Sequence, residues 1–177
     1  MAQESVTTKK LEFGPRRGVY IDIASEIGTF DIPERTIKMF EEYDLVYRTL
    51  CGILYNFVPT SGHPGGSISS GRHVAGVLFH ALDYDMSDPE RADADLFSYA
   101  AGHKAMGLYA MWALRNELAR IGRPALLPKN AKMQLRLEDL LGFRRNPTQE
   151  TPLFTKFRAK PLDGHPTPAT PFIKLST

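Results

Sequence analysis

The segment Leu96-Phe97-Ser98-Tyr99-Ala100-Ala101-Gly102-His103 reads as a short strand that runs into a glycine turn and then directly into a helix. From about Lys104 to Ala119, Met106, Tyr109, Trp112, Ala113 and Leu118 recur at helical spacing, and Gly122 with Pro124 ends the run. A strand joined to a helix through a glycine is the unit from which the rest of the chain is read.

Upstream of this unit, Phe40, Tyr43, Val46, Tyr47, Leu50, Ile53, Leu54 and Phe57 recur every three or four residues, which predicts a helix over 35–57 with one buried face. Val58-Pro59-Thr60-Ser61-Gly62-His63-Pro64-Gly65-Gly66 breaks it, because prolines and glycines oppose helix propagation, and predicts a tight loop. Ser67 is then the expected cap of a second helix ending near Asp83, with Ile68, Val74, Val77, Leu78, Ala81 and Leu82 as its apolar stripe. Ser87-Asp88-Pro89-Glu90 predicts a short helical turn. Downstream, 124–132 reads as a surface connection and 135–141 as a short helix. Pro147, Pro152, Pro161, Pro166, Pro168 and Pro171 argue against long regular structure in the remainder. Residues 1–34 show no sustained periodicity and read as an amino-terminal extension. Residues 35–177 form the domain proper.

Composition narrows the function classes. Apolar residues at 42% and charged residues at 24% are those of a globular chain, and no apolar run approaches the length of a bilayer span. A formal charge of +2 gives no sign of a nucleic-acid binder. The first residues lack the apolar block of a secretory signal, so the expected compartment is the cytoplasm. Cys51 is alone, which excludes an internal disulfide and a multi-thiolate zinc site, and its place on an apolar helix face suits an inert core thiol. Leu82 to Asp95 is acidic. Arg120 to Lys160 is a basic strip that could face a phosphate or an acidic partner, although a solvated face is the ordinary outcome.

Three of the five histidines follow a glycine: Gly62-His63, Gly102-His103 and Gly164-His165. Each pair sits at the end of a loop or the entry to a helix. There glycine lets the backbone approach another group, and helix amides attract anions, an arrangement suited to cradling a polyphosphate. The competing readings are a set of satisfied structural histidines, or a zinc site, which lacks any short His-x3-His spacing. His73 and His80, seven apart on one helix, read as packing or surface residues. No Gly-x-Ser-x-Gly elbow, dinucleotide fingerprint or Walker loop occurs.

Taken in order, Thr60-Ser61-Gly62-His63-Pro64-Gly65-Gly66, Asp95 to His103, Leu140-Leu141-Gly142-Phe143-Arg144 and Asp163-Gly164-His165-Pro166 resemble the amino-terminal segment of transketolase. The resemblance implies an α/β chain with an incomplete thiamin-diphosphate-binding fold, helices packed around a mostly parallel sheet, and a transferase that moves a two-carbon ketol unit between sugar phosphates. By motif match, His63 and His165 would be catalytic and contact the substrate, while His103, Gly65 and Gly66 would meet the thiamine diphosphate. The magnesium ligands of the family, a Gly-Asp-Gly and a downstream Asn, fall in sequence absent from this chain, so no metal ligand is expected within it. The chain is therefore expected to be inactive alone and to work with the remaining transketolase domains or a companion chain, as a homodimer or higher oligomer. No nucleic-acid or membrane partner is expected. The alternatives are a pyruvate dehydrogenase E1-like or deoxyxylulose-phosphate synthase-like enzyme, and a noncatalytic fragment.

Overall fold

The computed structural model describes residues 8–13, 16–21, 31–57, 64–99, 102–144, 152–165, 167 and 169–175. Contacts divide the chain into two compact units, Met1–Lys38 and Met39–Thr177. In the first, β1 (Thr8–Phe13) pairs antiparallel with β2 (Arg16–Ile21), in register from Thr8 opposite Ile21 to Phe13 opposite Arg16. The expectation of an extension without regular elements is thus corrected. Six-residue runs interrupted by lysine, arginine and glutamate carry almost no periodic signal, and ladder hydrogen bonds to the opposite strand make the structure.

Helix α1 (Glu34–Phe57) starts where the spacing places it, with the Pro33 carbonyl accepting from the Thr36 amide at 2.8 Å. Within the second unit its buried face is Asp44, Tyr47, Cys51 and Leu54. Helix α2 (Pro64–Gly76) begins three residues earlier than Ser67 and passes into a π-helical turn over Val77–Ala81. Proline explains the earlier start: its fixed φ suits the first helical turn, where its missing N–H would have had no partner. Ser67 is therefore an interior residue and not a cap, and it is only 1% exposed.

A turn-rich connection through the acidic stretch, with turns in place of the expected short helical turn at Ser87–Glu90, leads to β3 (Phe97–Tyr99). A 3-10 turn at Gly102–Lys104 follows, then α3 (Ala105–Gly122). Every residue of α3 from Ala105 to Leu114 is buried, as befits a helix apolar on all sides. Small residues permit this. A Cβ on Gly107 would lie 2.6 Å from both the Ser67 Cβ and the Tyr47 hydroxyl, so α2 and the α1 tyrosine can close on α3 only because that Cβ is missing.

Beyond α3, the chain folds as short 3-10 turns at Pro124–Leu126, Ala131–Met133 and Leu137–Gly142, the helix α4 (Pro152–Phe157), and β4 (Ile173–Leu175). β4 pairs parallel with β3, Phe97 opposite Ile173 and Tyr99 opposite Leu175. The described residues are mostly helical, and of the expected parallel sheet they hold this pair and one parallel bridge, Phe143 to Leu162. Among them, no helix is long and apolar enough to cross a membrane.

The basic strip is partly internal. Asp139, fully buried, accepts from the amides of Arg136 and Lys160, both at 2.9 Å, and from the Arg136 guanidinium at 3.1 Å. The Lys160 ammonium lies 3.7 Å away. A buried carboxylate needs compensating cations and donors, and these two bases supply them in place of water.

Candidate functional site

The second and third Gly-His motifs meet. The imidazole of His165 lies against the α-carbon of Gly102: a Cβ there would sit 2.6 Å from the His165 Nε2 and closer still to Cδ2. No other residue type could occupy position 102 without displacing the ring. The backbone reinforces the contact, since the buried Tyr109 hydroxyl of α3 donates to the His165 carbonyl. The ring itself belongs to an exposed residue, so it is held at the surface of the unit.

Position 165 is delivered there by the strand-like run before it. The Asp139 clamp fixes Lys160, Leu162 donates to the Gly142 carbonyl at 3.0 Å, and the Arg144 amide donates to the Leu162 carbonyl at 2.7 Å. Gly142 lies directly on the Lys160 carbonyl, another approach that a side chain would block. Arg144 adopts a positive φ of 52°, and its Nε lies 2.9 Å from where a Cβ on Gly164 would stand. Burial raises the pKa of the Tyr55 hydroxyl, while its hydrogen bond with Ser67 and the charge of Arg144 pull against the rise.

The first motif joins through its glycine tail. Gly66, in the first turn of α2, is covered by the side chain of Lys104: Cδ and Cγ stand 2.8 and 3.0 Å from a Cβ built on Gly66. Ser67 ties the same two segments, its Oγ donating to the Lys104 carbonyl at 3.3 Å and sharing a hydrogen bond with the Tyr55 hydroxyl at 2.7 Å. Tyr47 donates to the Ser67 carbonyl at 2.8 Å. The Tyr99 hydroxyl, at the end of β3, also donates to the Lys104 carbonyl at 3.4 Å, and burial pushes its pKa up to about 12. These phenols are neutral donors at physiological pH that fix the backbone.

The candidate residues fall as follows. His63 lies outside the described residues. His103 is described by its backbone alone, within the Gly102–Lys104 turn. Gly65 faces open space, with nothing within 4 Å of where a Cβ would stand, and Gly66 is close-packed on Lys104. His165 sits on Gly102, next to His103 in sequence. His73 and His80 are exposed on their helix. Cys51 is wholly buried, with its pKa pushed up to about 11 by burial, which makes it a poor nucleophile. Among the described residues, no group of three or more His, Cys, Asp or Glu side chains is arranged to hold a metal. Lys104, Tyr55 and Ser67 do not stand out from sequence as site residues. The only signal for Lys104 is adjacency to His103.

The described residues define a mostly helical unit with one short parallel strand pair, β3 leading through Gly102 into α3. Comparison with known proteins is more specific. No protein-family model matches the chain. Among curated proteins, transketolase-like protein 2 of Mus musculus is 31% identical over 118 residues, 67% of this chain and 14% of that protein. Transketolase of Homo sapiens is 29% identical over 117 residues, 66% of this chain and 14% of that protein. Transketolase-like protein 2 of Homo sapiens is 27% identical over a stretch of the same length. Over two thirds of its length the chain is thus similar to transketolases, as its motifs imply. It spans 14% of the length of the curated relatives it matches.

Proposed function

We propose that this chain forms the amino-terminal part of the diphosphate-binding domain of a transketolase-like transferase, built on an incomplete thiamin-diphosphate-binding fold. One observation carries the reading: Gly66 against Lys104, and Gly102 against His165, draw sequence-distant Gly-His motifs into one neighbourhood. The residues there suit the cofactor in kind. Lys104, Arg144 and an exposed imidazole are the donors a diphosphate and a polyol require, and Gly65 leaves open the space that a ring could approach.

When bound, thiamine diphosphate supplies a thiazolium carbon that can attack a ketose carbonyl and retain the two-carbon unit. The chain's part is to bind, orient and move protons. His103 and the Gly65-Gly66 backbone would hold the cofactor. His63 and His165 would contact the sugar hydroxyls and pass protons between oxygens, which imidazole can do in either direction near neutral pH. Its fixed carbonyl and its seat on Gly102 hold His165 in place for this, so little reorganisation accompanies reaction. Magnesium ligands, the rest of the active centre and the oligomeric interface would come from sequence beyond that given or from a companion chain, in the cytoplasm, with sugar phosphates as substrates.

Calorimetric titration of the chain with thiamine diphosphate and Mg2+, with and without a companion polypeptide carrying the remaining domains, tests the reading. A saturable heat, followed by ketol transfer in the reconstituted mixture, is expected. Absence of binding in both preparations would defeat it.

A further inference from the structure

Resting on that reading, we propose that Lys104 is a diphosphate-binding residue of the site, a cation placed on the phosphoryl oxygens by the two glycine-tight approaches. The backbone at this position is pinned. Its carbonyl accepts from Ser67 on α2 and from Tyr99 on β3, and Ala105, the next residue, is fully buried at the start of α3. The side chain runs across Gly66, where the missing Cβ leaves room for its methylenes. Its ammonium comes to rest 5.9 Å from the centre of the Tyr99 ring.

What distinguishes Lys104 is its lack of an acid. Elsewhere in the unit the partly buried bases are matched: Arg136 and Lys160 to Asp139, Arg120 to Glu117, Arg91 to Asp83 and Asp93. Arg115, the other exception, stacks on Phe79, Tyr84 and Trp112. Half-buried Lys104 has only the face of Tyr99, and no described carboxylate stands within ion-pair distance. An ammonium that has given up part of its hydration without a counter-ion favours an anion. This one lies over Gly66, expected to let its loop approach the cofactor, and directly follows His103, expected to reach the diphosphate. Because Gly66 admits the lysine stem, its methylenes pack on the first turn of α2 and its ammonium lies over the Tyr99 ring.

The test uses the whole chain with two probes, inorganic pyrophosphate and thiamine diphosphate, each with Mg2+, and unphosphorylated thiamine as the comparison that lacks the diphosphate. Lys104→Met is expected to weaken pyrophosphate and thiamine diphosphate binding about tenfold, to flatten the salt dependence of both, and to leave thiamine unchanged. Lys104→Arg is expected to recover most of the loss. In the unaltered chain, pyrophosphate is expected to shield Lys104 from an amine-acylating reagent, read by peptide mass spectrometry, a measurement that needs no variant to fold. If the wild-type chain binds both phosphorylated probes and Lys104→Met, melting like wild type, binds them equally, or if acylation of Lys104 is indifferent to pyrophosphate, the assignment of Lys104 is overturned while the broader reading stands. If the wild-type chain binds neither, with or without companion domains, the broader reading fails and takes this one with it.

Discussion

Helices α1 and α3 are both rich in apolar residues, yet they occupy opposite extremes of burial. Ten consecutive residues of α3 are buried, while α1 leaves Leu45, Val46 and Ile53 more than half exposed. Part of the difference is composition, since α1 carries seven charged residues and α3 three. The rest lies in how closely neighbours can come. Ala105, Gly107, Ala110 and Ala113 let surrounding segments reach α3 from several sides, whereas α1 touches the rest of its unit through one stripe and through long tyrosines, Tyr43 donating to the Met111 carbonyl at 2.7 Å and Tyr47 to that of Ser67. Centrality here is a matter of small residues at the right positions, with large ones filling what remains.

The contrast can be broken most forcefully at Trp112, 1% exposed on α3 and lying against Tyr84 and the Arg115 guanidinium. Trp112→Ala should cost about 3–5 kcal/mol, read by urea unfolding followed by circular dichroism. Gly107→Ala should come next, at about 1–3 kcal/mol, since the added methyl meets Ser67 and Tyr47, neither of which is free to move. A milder challenge is alkali. Burial raises Cys51 on α1 from 9.0 to about 11, and Tyr84, Tyr99 and Tyr109 from 10.0 to about 12. The unfolded chain therefore releases these protons first. The contribution to stability is whole below about pH 9 and disappears progressively as pH rises from there to 12, which melting temperatures across that range will show. The smallest effect belongs to the outer face of α1: Ile53→Ser should change stability by no more than about 0.5 kcal/mol, and a larger loss would mean that this face is covered in solution.

Much of this is legible in the sequence, for reasons that differ by element. The spacing of α1 misses only its first residue, because an amphipathic pattern over more than twenty residues outweighs local noise. Strand β3 and α3 are legible because a glycine marks the joint between two periodicities. The start of α2 is misplaced by three residues because Pro64 reads as a breaker, whereas at a first turn proline is an initiator. The β1–β2 hairpin and the Asp139 clamp are hidden for a different reason. Both depend on partners across the chain rather than on local pattern, and a single aspartate between Glu138 and Leu140 gives no local sign that it will be buried. The glycine-histidine pairs are conspicuous, and the contact between Gly102 and His165 is not, since nothing local states which ring will rest on which glycine.

The parallel pairing of Phe97 with Ile173 also bears on how the molecule is made. During translation β3 leaves the ribosome well before its partner and, at ordinary elongation rates, waits on the order of 10 s for β4 to be synthesised. For that interval its edge is open, and closing so long a loop is entropically slow. Tyr99 can dock its hydroxyl on Lys104 at once, so the nascent strand has a local hold before the distant one arrives.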